Sequence, residues 1–179
     1  MRPIDCMQGT METTLRRASE SDAAGFLDLW DALDSETEFM LFEPGERKAT
    51  LDAQKSRLAN ANASDNVQIY VVEDVKKGLL AGFCAGSRTS NFRDRHSLHI
   101  VVGIRQAYTG RSFGFALLSH LEKWAGDHEV SRLELSVMVT NTNAIALYKK
   151  FGFKVEGTKS NAVFLKSGLV DEHIMAKHI

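Results

Sequence analysis

The spacing of apolar residues changes along the chain between the period of a helix and the period of a strand. Thr13 to Ala18 reads as a short strand, and Ser21 or Asp22 then caps a helix with Phe26, Leu29, Trp30 and Leu33 on one face. Glu43-Pro44-Gly45 marks a turn, after which a more polar helix is expected from about Arg47 to Ala61, with a loop over Asn60 to Asn66. Val67 to Glu73 and Leu79 to Ser87 form a predicted hairpin closed at Lys76-Lys77-Gly78. A strand at Ser97 to Ile104 leads through a glycine-containing turn into a helix from Phe113 to Ala125, lined by Phe113, Leu117, Leu121 and Trp124. Arg132 to Val139 alternates, with Leu133, Leu135, Val137 and Val139 on one side. Asn141 to Phe151 is a short helix striped by Ala144, Leu147, Tyr148 and Phe151. Phe153 to Gly157, Ala162 to Leu165 and Glu172 to Ala176 close the chain as strands. This order predicts an α/β domain, a mixed sheet with helices packed on it.

A length of 179 residues suits one domain, and no Pro-rich linker interrupts the chain. The expected layout is a loose leader over residues 1–12, with Met11 as an alternative start, and one domain over 13–179. The net charge of −1 shows no basic excess, which argues against a nucleic-acid partner. Apolar runs such as Ile100 to Ile104 are far too short to span a membrane. Cys6 and Cys84 match no metal or redox spacing, and the start lacks the apolar stretch of a secretion signal. The chain is expected to be cytoplasmic.

Candidate chemistry begins in the turn Tyr108-Thr109-Gly110-Arg111-Ser112-Phe113-Gly114-Phe115. Amides at a helix start have no partner within the helix and carry the positive end of its dipole, so they bind phosphate. Gly110 and Gly114 allow close approach, and Arg111 adds charge. A Walker A loop is excluded because Phe115 and Ala116 follow Gly114, and the glycines are too sparse for a dinucleotide fingerprint. An ordinary strand-to-helix turn remains the alternative for this segment alone.

The segment Asn141-Thr142-Asn143-Ala144-Ile145-Ala146-Leu147-Tyr148-Lys149-Lys150-Phe151-Gly152-Phe153 adds a second motif. It has the form Asn-x-x-Ala-x-x-Leu-Tyr-x-x-x-Gly-Phe, and with the turn it resembles the GNAT superfamily of N-acetyltransferases. The family's cofactor motif, Arg/Gln-x-x-Gly-x-Gly/Ala, aligns on Thr109, Ser112 and Gly114. Thr109 stands where the family has Arg or Gln, and Ser112 where it has Gly. Val155-Glu156-Gly157-Thr158, Val170-Asp171-Glu172 and Met175-Ala176-Lys177 look like the branch acting on amino acids, polyamines or protein N-termini.

The resemblance implies a sheet of about seven strands with about four helices and a splayed strand pair at the cofactor site. It implies acetyl-CoA as cosubstrate, no metal, and a primary amine of a small molecule as acceptor. The pyrophosphate would rest on Thr109, Gly110, Arg111, Ser112, Phe113, Gly114 and Phe115. The pantetheine arm would run along Val102, Gly103 and Ile104, with further contacts from Asn141, Asn143, Ala144 and Tyr148. Tyr148 falls at the family's general-acid position; a plain core tyrosine is the alternative. His99 falls where many members carry a glutamate base, and a plain strand histidine is equally open, as is a water-mediated base at Glu134 or Ser136. His96 and His99, three apart, would point to opposite faces of a strand, which argues against joint metal binding. Asn141 also reads as a helix cap. The acceptor pocket is expected from the first helices, residues 39–47 and residues 90–96, where Glu43 and Glu46 could meet an amine and Arg47, Arg93 or Arg95 a carboxylate. Acetylation of ribosomal proteins, an acetyl-CoA sensor without turnover, and a homodimer paired through the C-terminal strands stay open.

Overall fold

Val71 and Val72 are neighbours on strand β2 (Val67–Asp74) and both are buried, yet they belong to different hydrophobic cores. Strand alternation sends them to opposite faces, so the sheet is covered on both sides. The computed structural model describes residues 12–179, so the expected leader, except its last residue, lies outside the described residues, as does Cys6.

The described residues form a sheet of seven strands, ordered β1-β2-β3-β4-β5-β7-β6. These are β1 (Thr13–Arg17), β2, β3 (Leu79–Ser87), β4 (Ser97–Ile104), β5 (Arg132–Met138), β6 (Lys154–Leu165) and β7 (Gly168–His178). The β4–β5 pairing is parallel, and the other neighbours are antiparallel. Helices α1 (Ala23–Glu36) and α2 (Leu51–Asn62) cover one face, where Phe26, Leu33 and Leu58 pack on Ile69, Val71 and Phe83. Helices α3 (Phe113–Gly126) and α4 (Thr142–Phe151) cover the other, where Leu117, Leu121 and Tyr148 pack on Leu98, Ile100, Leu133 and Leu135. The α/β fold with a mixed sheet is the one expected from the sequence.

Two boundaries differ. The second helix starts at Leu51, not near Arg47, because the Thr50 hydroxyl accepts the Ala53 amide at 3.2 Å and caps it there. The segments at Phe153 to Gly157 and Ala162 to Leu165 are one strand, β6, whose register with β7 shifts at Val155/Gly157 and Lys159/Val163. Asn161, at φ 51°, lies in the second irregularity, and its amide donates to Asp171 Oδ1 at 2.8 Å. The first helix begins where expected, with Asp22 as the N-cap residue of α1; a 3-10 turn, Glu20–Asp22, leads into it, and Asp22 accepts the Ser19 amide at 2.7 Å.

Candidate active site

The β4–β5 ladder is short. Ser97, Leu98 and His99 pair with Arg132, Leu133 and Glu134, and there the pairing ends. Beyond that point β4 stays bound to β3 as far as Ile104↔Gly82, and β5 stays bound to β7 as far as Met138↔Glu172. The facing edges from Ile100 to Ile104 and from Leu135 to Met138 therefore diverge and leave backbone groups unpaired. The splayed strand pair expected from the resemblance is this opening. Strand β4 is pressed tightly against its neighbours: a Cβ on Gly103 would come within 2.7 Å of Leu33 Cδ1 and 2.8 Å of Phe83 Cε1.

Just past β4 the chain is anchored on both sides. The Glu36 carboxylate accepts the Gln106 amide at 2.6 Å, and the Tyr108 hydroxyl donates to buried Asp74 at 2.7 Å. Burial opposes the charge on Asp74, but the hydrogen bonds from Tyr108 and the Lys77 amide outweigh it and hold the carboxyl below the usual range. Its folded-state pKa being lowered, the stability it contributes is present at neutral pH and is lost as pH falls through that lowered value. Thr109 turns its hydroxyl onto the Gln106 carbonyl at 2.8 Å, so its side chain closes the turn.

Gly110 (φ 72°) and Ser112 (φ 62°) both adopt left-handed backbone, and α3 starts at Phe113. The first helical bond found there runs from the Ala116 amide to the Ser112 carbonyl at 3.0 Å, and no side chain caps the helix. This leaves the amides from Ser112 to Phe115 without a helical partner, a concave cluster of donors suited to an anion. Arg111 is exposed beside it, and Lys150 lies 6.0 Å from the centre of the Phe115 ring. Gly114 lets α3 meet α4, since a Cβ there would lie 2.8 Å from Leu147 Cδ2. Left-handed backbone is strained for serine by about 1 kcal/mol. Ser112→Gly is expected to raise Tm by roughly 2–4 °C, read by thermal unfolding.

At the start of α4 Asn141 Oδ1 accepts the Ala144 amide at 3.2 Å, which is the capping geometry, while Asn143 is exposed and Ala144 half-buried. Tyr148, about two turns after Asn141, is buried, with Phe153 5.8 Å away between ring centres. Burial, aided by Cys84, pushes its phenol well above the ordinary tyrosine value. Cys84 pairs with Val102, so the phenol stands behind the middle of the unpaired β4 edge. His99 is exposed on the opposite face, beside Glu134 at the last rung of the ladder. Glu134 accepts from Arg132 Nε at 3.1 Å and Ser97 Oγ at 3.5 Å, and Arg132 also grips Glu156. Ser136, further along the same face, accepts from Lys159 at 3.2 Å.

His96 precedes β4, so strand alternation does not separate it from His99, and both line one cavity. Among the described residues no group of three or more His, Cys, Asp or Glu is arranged to hold a metal.

Several expected acceptor contacts are engaged within the protein. Arg47 donates to buried Asp34 through Nε at 2.9 Å and Nη2 at 3.0 Å. Its guanidinium lies between the rings of Trp30 (4.6 Å) and Phe42 (4.2 Å). Glu43 pairs with Lys166 at 2.9 Å, tying the β6–β7 hairpin to the loop after α1, and Glu46 accepts the Glu43 amide at 3.0 Å. Arg95 packs over Phe92 at 4.9 Å. The Asp34–Arg47 clasp and the Cys84–Tyr148 proximity have no signature in the sequence, since each joins residues from separate elements.

A mixed sheet with a splayed parallel pair beside an uncapped helix start is the arrangement expected from the resemblance to the GNAT superfamily. The model described as "Acetyltransferase (GNAT) family" matches residues 27–153, and the chain belongs to that family. Over 89 residues it is 44% identical to the L-amino acid N-acetyltransferase AaaT of Escherichia coli, covering 48% of this chain and 53% of that protein. The chain spans about half the length of the curated relatives it matches. A GNAT-family acetyltransferase structure from Streptococcus pneumoniae is 26% identical with a TM-score of 0.89, covering 94% of this chain and 100% of that one. The yncA structure from Salmonella typhimurium, with its cofactor acetyl-CoA, shares the fold at TM-score 0.80 and 19% identity, covering 95% and 94%.

Proposed function

We propose that the chain is an N-acetyltransferase that moves an acetyl group from acetyl-CoA to the primary amine of a small molecule, such as an amino acid or a polyamine. The observation that carries this reading is the juxtaposition of an unpaired β4 edge with the uncapped start of α3. An extended polar chain can pair with the first while its anionic end occupies the second. The name of the Escherichia coli relative supports a small amine.

Bound acetyl-CoA supplies one thioester. The amides of Gly110 to Phe115 and the Arg111 guanidinium bind the pyrophosphate, while Thr109 shapes the turn. Val102, Gly103 and Ile104 offer their edge to the pantetheine arm, and one of their amides donates to the developing oxyanion. Asn143 and Ala144 border the arm at the start of α4, and Asn141 fixes that corner through its cap. His99 takes a proton from the acceptor ammonium, directly or through water, freeing the lone pair. As nitrogen bonds to the carbonyl carbon the carbon–sulfur bond breaks, and Tyr148 gives its proton to the departing sulfur. A phenol whose pKa is raised by burial keeps its proton until negative charge develops next to it.

A thiol-release assay over an array of amines tests this reading. Release with at least one small amine is expected. Release only with ribosomal-protein peptides would redirect it, and acetyl-CoA binding without any release would make the chain a sensor. His99→Ala is expected to lower kcat/KM by about a hundredfold while leaving the acetyl-CoA Kd within about twofold. An unaltered kcat/KM would exclude His99 as base.

A further inference from the structure

A row of side chains crosses the sheet on the α1–α2 face. Val67 pairs with Ser87, Ser87 with His99, and His99 with Glu134. Directly opposed residues project to the same face and strands lie about 4.8 Å apart, so the row spans roughly 14 Å. Two cavities lie along it and share Ser87. One, of about 710 Å³, has Val67 and Ser87 at its floor and Ser56, Arg57 and Asn60 of α2 at its wall. The other, of about 480 Å³, holds Ser87, His99 and Glu134.

The two ends differ in charge. Around the second cavity Arg88 and Arg132 are balanced by Asp94 and Glu134. The first is lined by Arg57 and by no acidic residue. The Arg57 guanidinium sits 5.0 Å from the centre of the Trp30 ring and pairs with no carboxylate among the described residues. Asp34, the nearby acid, is occupied on both oxygens by Arg47. Desolvation and the neighbouring Arg47 both disfavour the charge on Arg57, a condition that an arriving anion relieves.

We propose that the two cavities form one acceptor trough for an amine that carries a carboxylate, with the carboxylate held by Arg57 and the amine delivered to His99 and Glu134. This rests on the N-acetyltransferase reading, which makes the His99 end the reacting end. Val67, beside Arg57, and His99 are two strand spacings apart, about 10 Å. The favoured acceptor is therefore a linear molecule whose amine and carboxylate lie several bonds apart. A polyamine would bring a second positive charge against Arg57.

Trp30 lies under Arg57 and reports on the trough, whereas Trp124 packs with the core of the α3–α4 face. Aminooctanoate titrated into the CoA-saturated protein is expected to give a saturable fluorescence change, absent with diaminooctane. Arg57→Gln weakens that binding about tenfold to a hundredfold, the loss of one charge-assisted pair, while Arg57→Lys retains part of it. In turnover, aminooctanoate exceeds its own amide in kcat/KM by about tenfold in the wild type, and the ratio approaches one in Arg57→Gln. Equal use of the acid, the amide and the diamine would overturn the proposal, as would unchanged aminooctanoate binding in Arg57→Gln. Thiol release from no amine at all would contradict the N-acetyltransferase reading instead, with the Trp30 titration still deciding the trough.

Discussion

Tyr148→Phe is expected to lower kcat by about a hundredfold or more while leaving the acetyl-CoA Kd within about twofold. The ring is buried and packed against Phe153, and phenylalanine keeps that volume, so the change removes a proton donor and little else. Replacing the thioester with one whose leaving thiol is more acidic should narrow the deficit, because such a thiolate departs without protonation. A purely structural tyrosine predicts neither effect. Unchanged turnover at unchanged cofactor affinity would remove Tyr148 from the mechanism.

Asp34→Ala carries the largest expected effect on stability. It strands the Arg47 guanidinium, whose side chain is 15% exposed, between Trp30 and Phe42 with its carboxylate gone. Removing one partner of a buried pair destabilises by about 3–5 kcal/mol. For a domain of this size that lowers Tm by roughly 10 °C. The Trp30 ring that carries Arg47 also carries Arg57 of the proposed trough, so the acceptor KM rises while acetyl-CoA affinity holds. Thermal unfolding with paired kinetics checks both; a Tm within about 1 °C of wild type would show that the clasp contributes nothing.

The strongly periodic elements were legible because burial on one face leaves its period in the sequence, as at Phe26, Leu29, Trp30 and Leu33. The start of α2 was not, because Arg47 resembles a helix former locally but is recruited by Asp34 on another helix. The continuity of β6 was hidden by polar residues at its irregularities, where Asn161 takes the left-handed backbone that a turn would need. The splay after His99 has no local signature, since Ile100 to Ile104 reads as any buried strand does. It came from the resemblance. Ser112 shows the reverse: the family's glycine at that position encodes a backbone demand, and the serine here meets it with φ at 62°. His96 was misplaced by the alternation rule because the strand begins one residue after it.

The proposed activity requires the turn from Thr109 to Phe115 to be the anionic cradle of acetyl-CoA. Gly110 has left-handed backbone and nothing within 4 Å of where a Cβ would stand, so Gly110→Asp meets no atom and carries about 1 kcal/mol of backbone strain while placing a negative charge in the cradle; Gly110→Asn carries the same strain without the charge and serves as its control. Calorimetric titration of acetyl-CoA into the wild type and these variants tests the claim most directly. Saturable one-to-one binding by the wild type, weakened at least about tenfold in Gly110→Asp but not in Gly110→Asn, is the expected result; equal affinity in Gly110→Asp and Gly110→Asn, or no binding by the wild type, would contradict it.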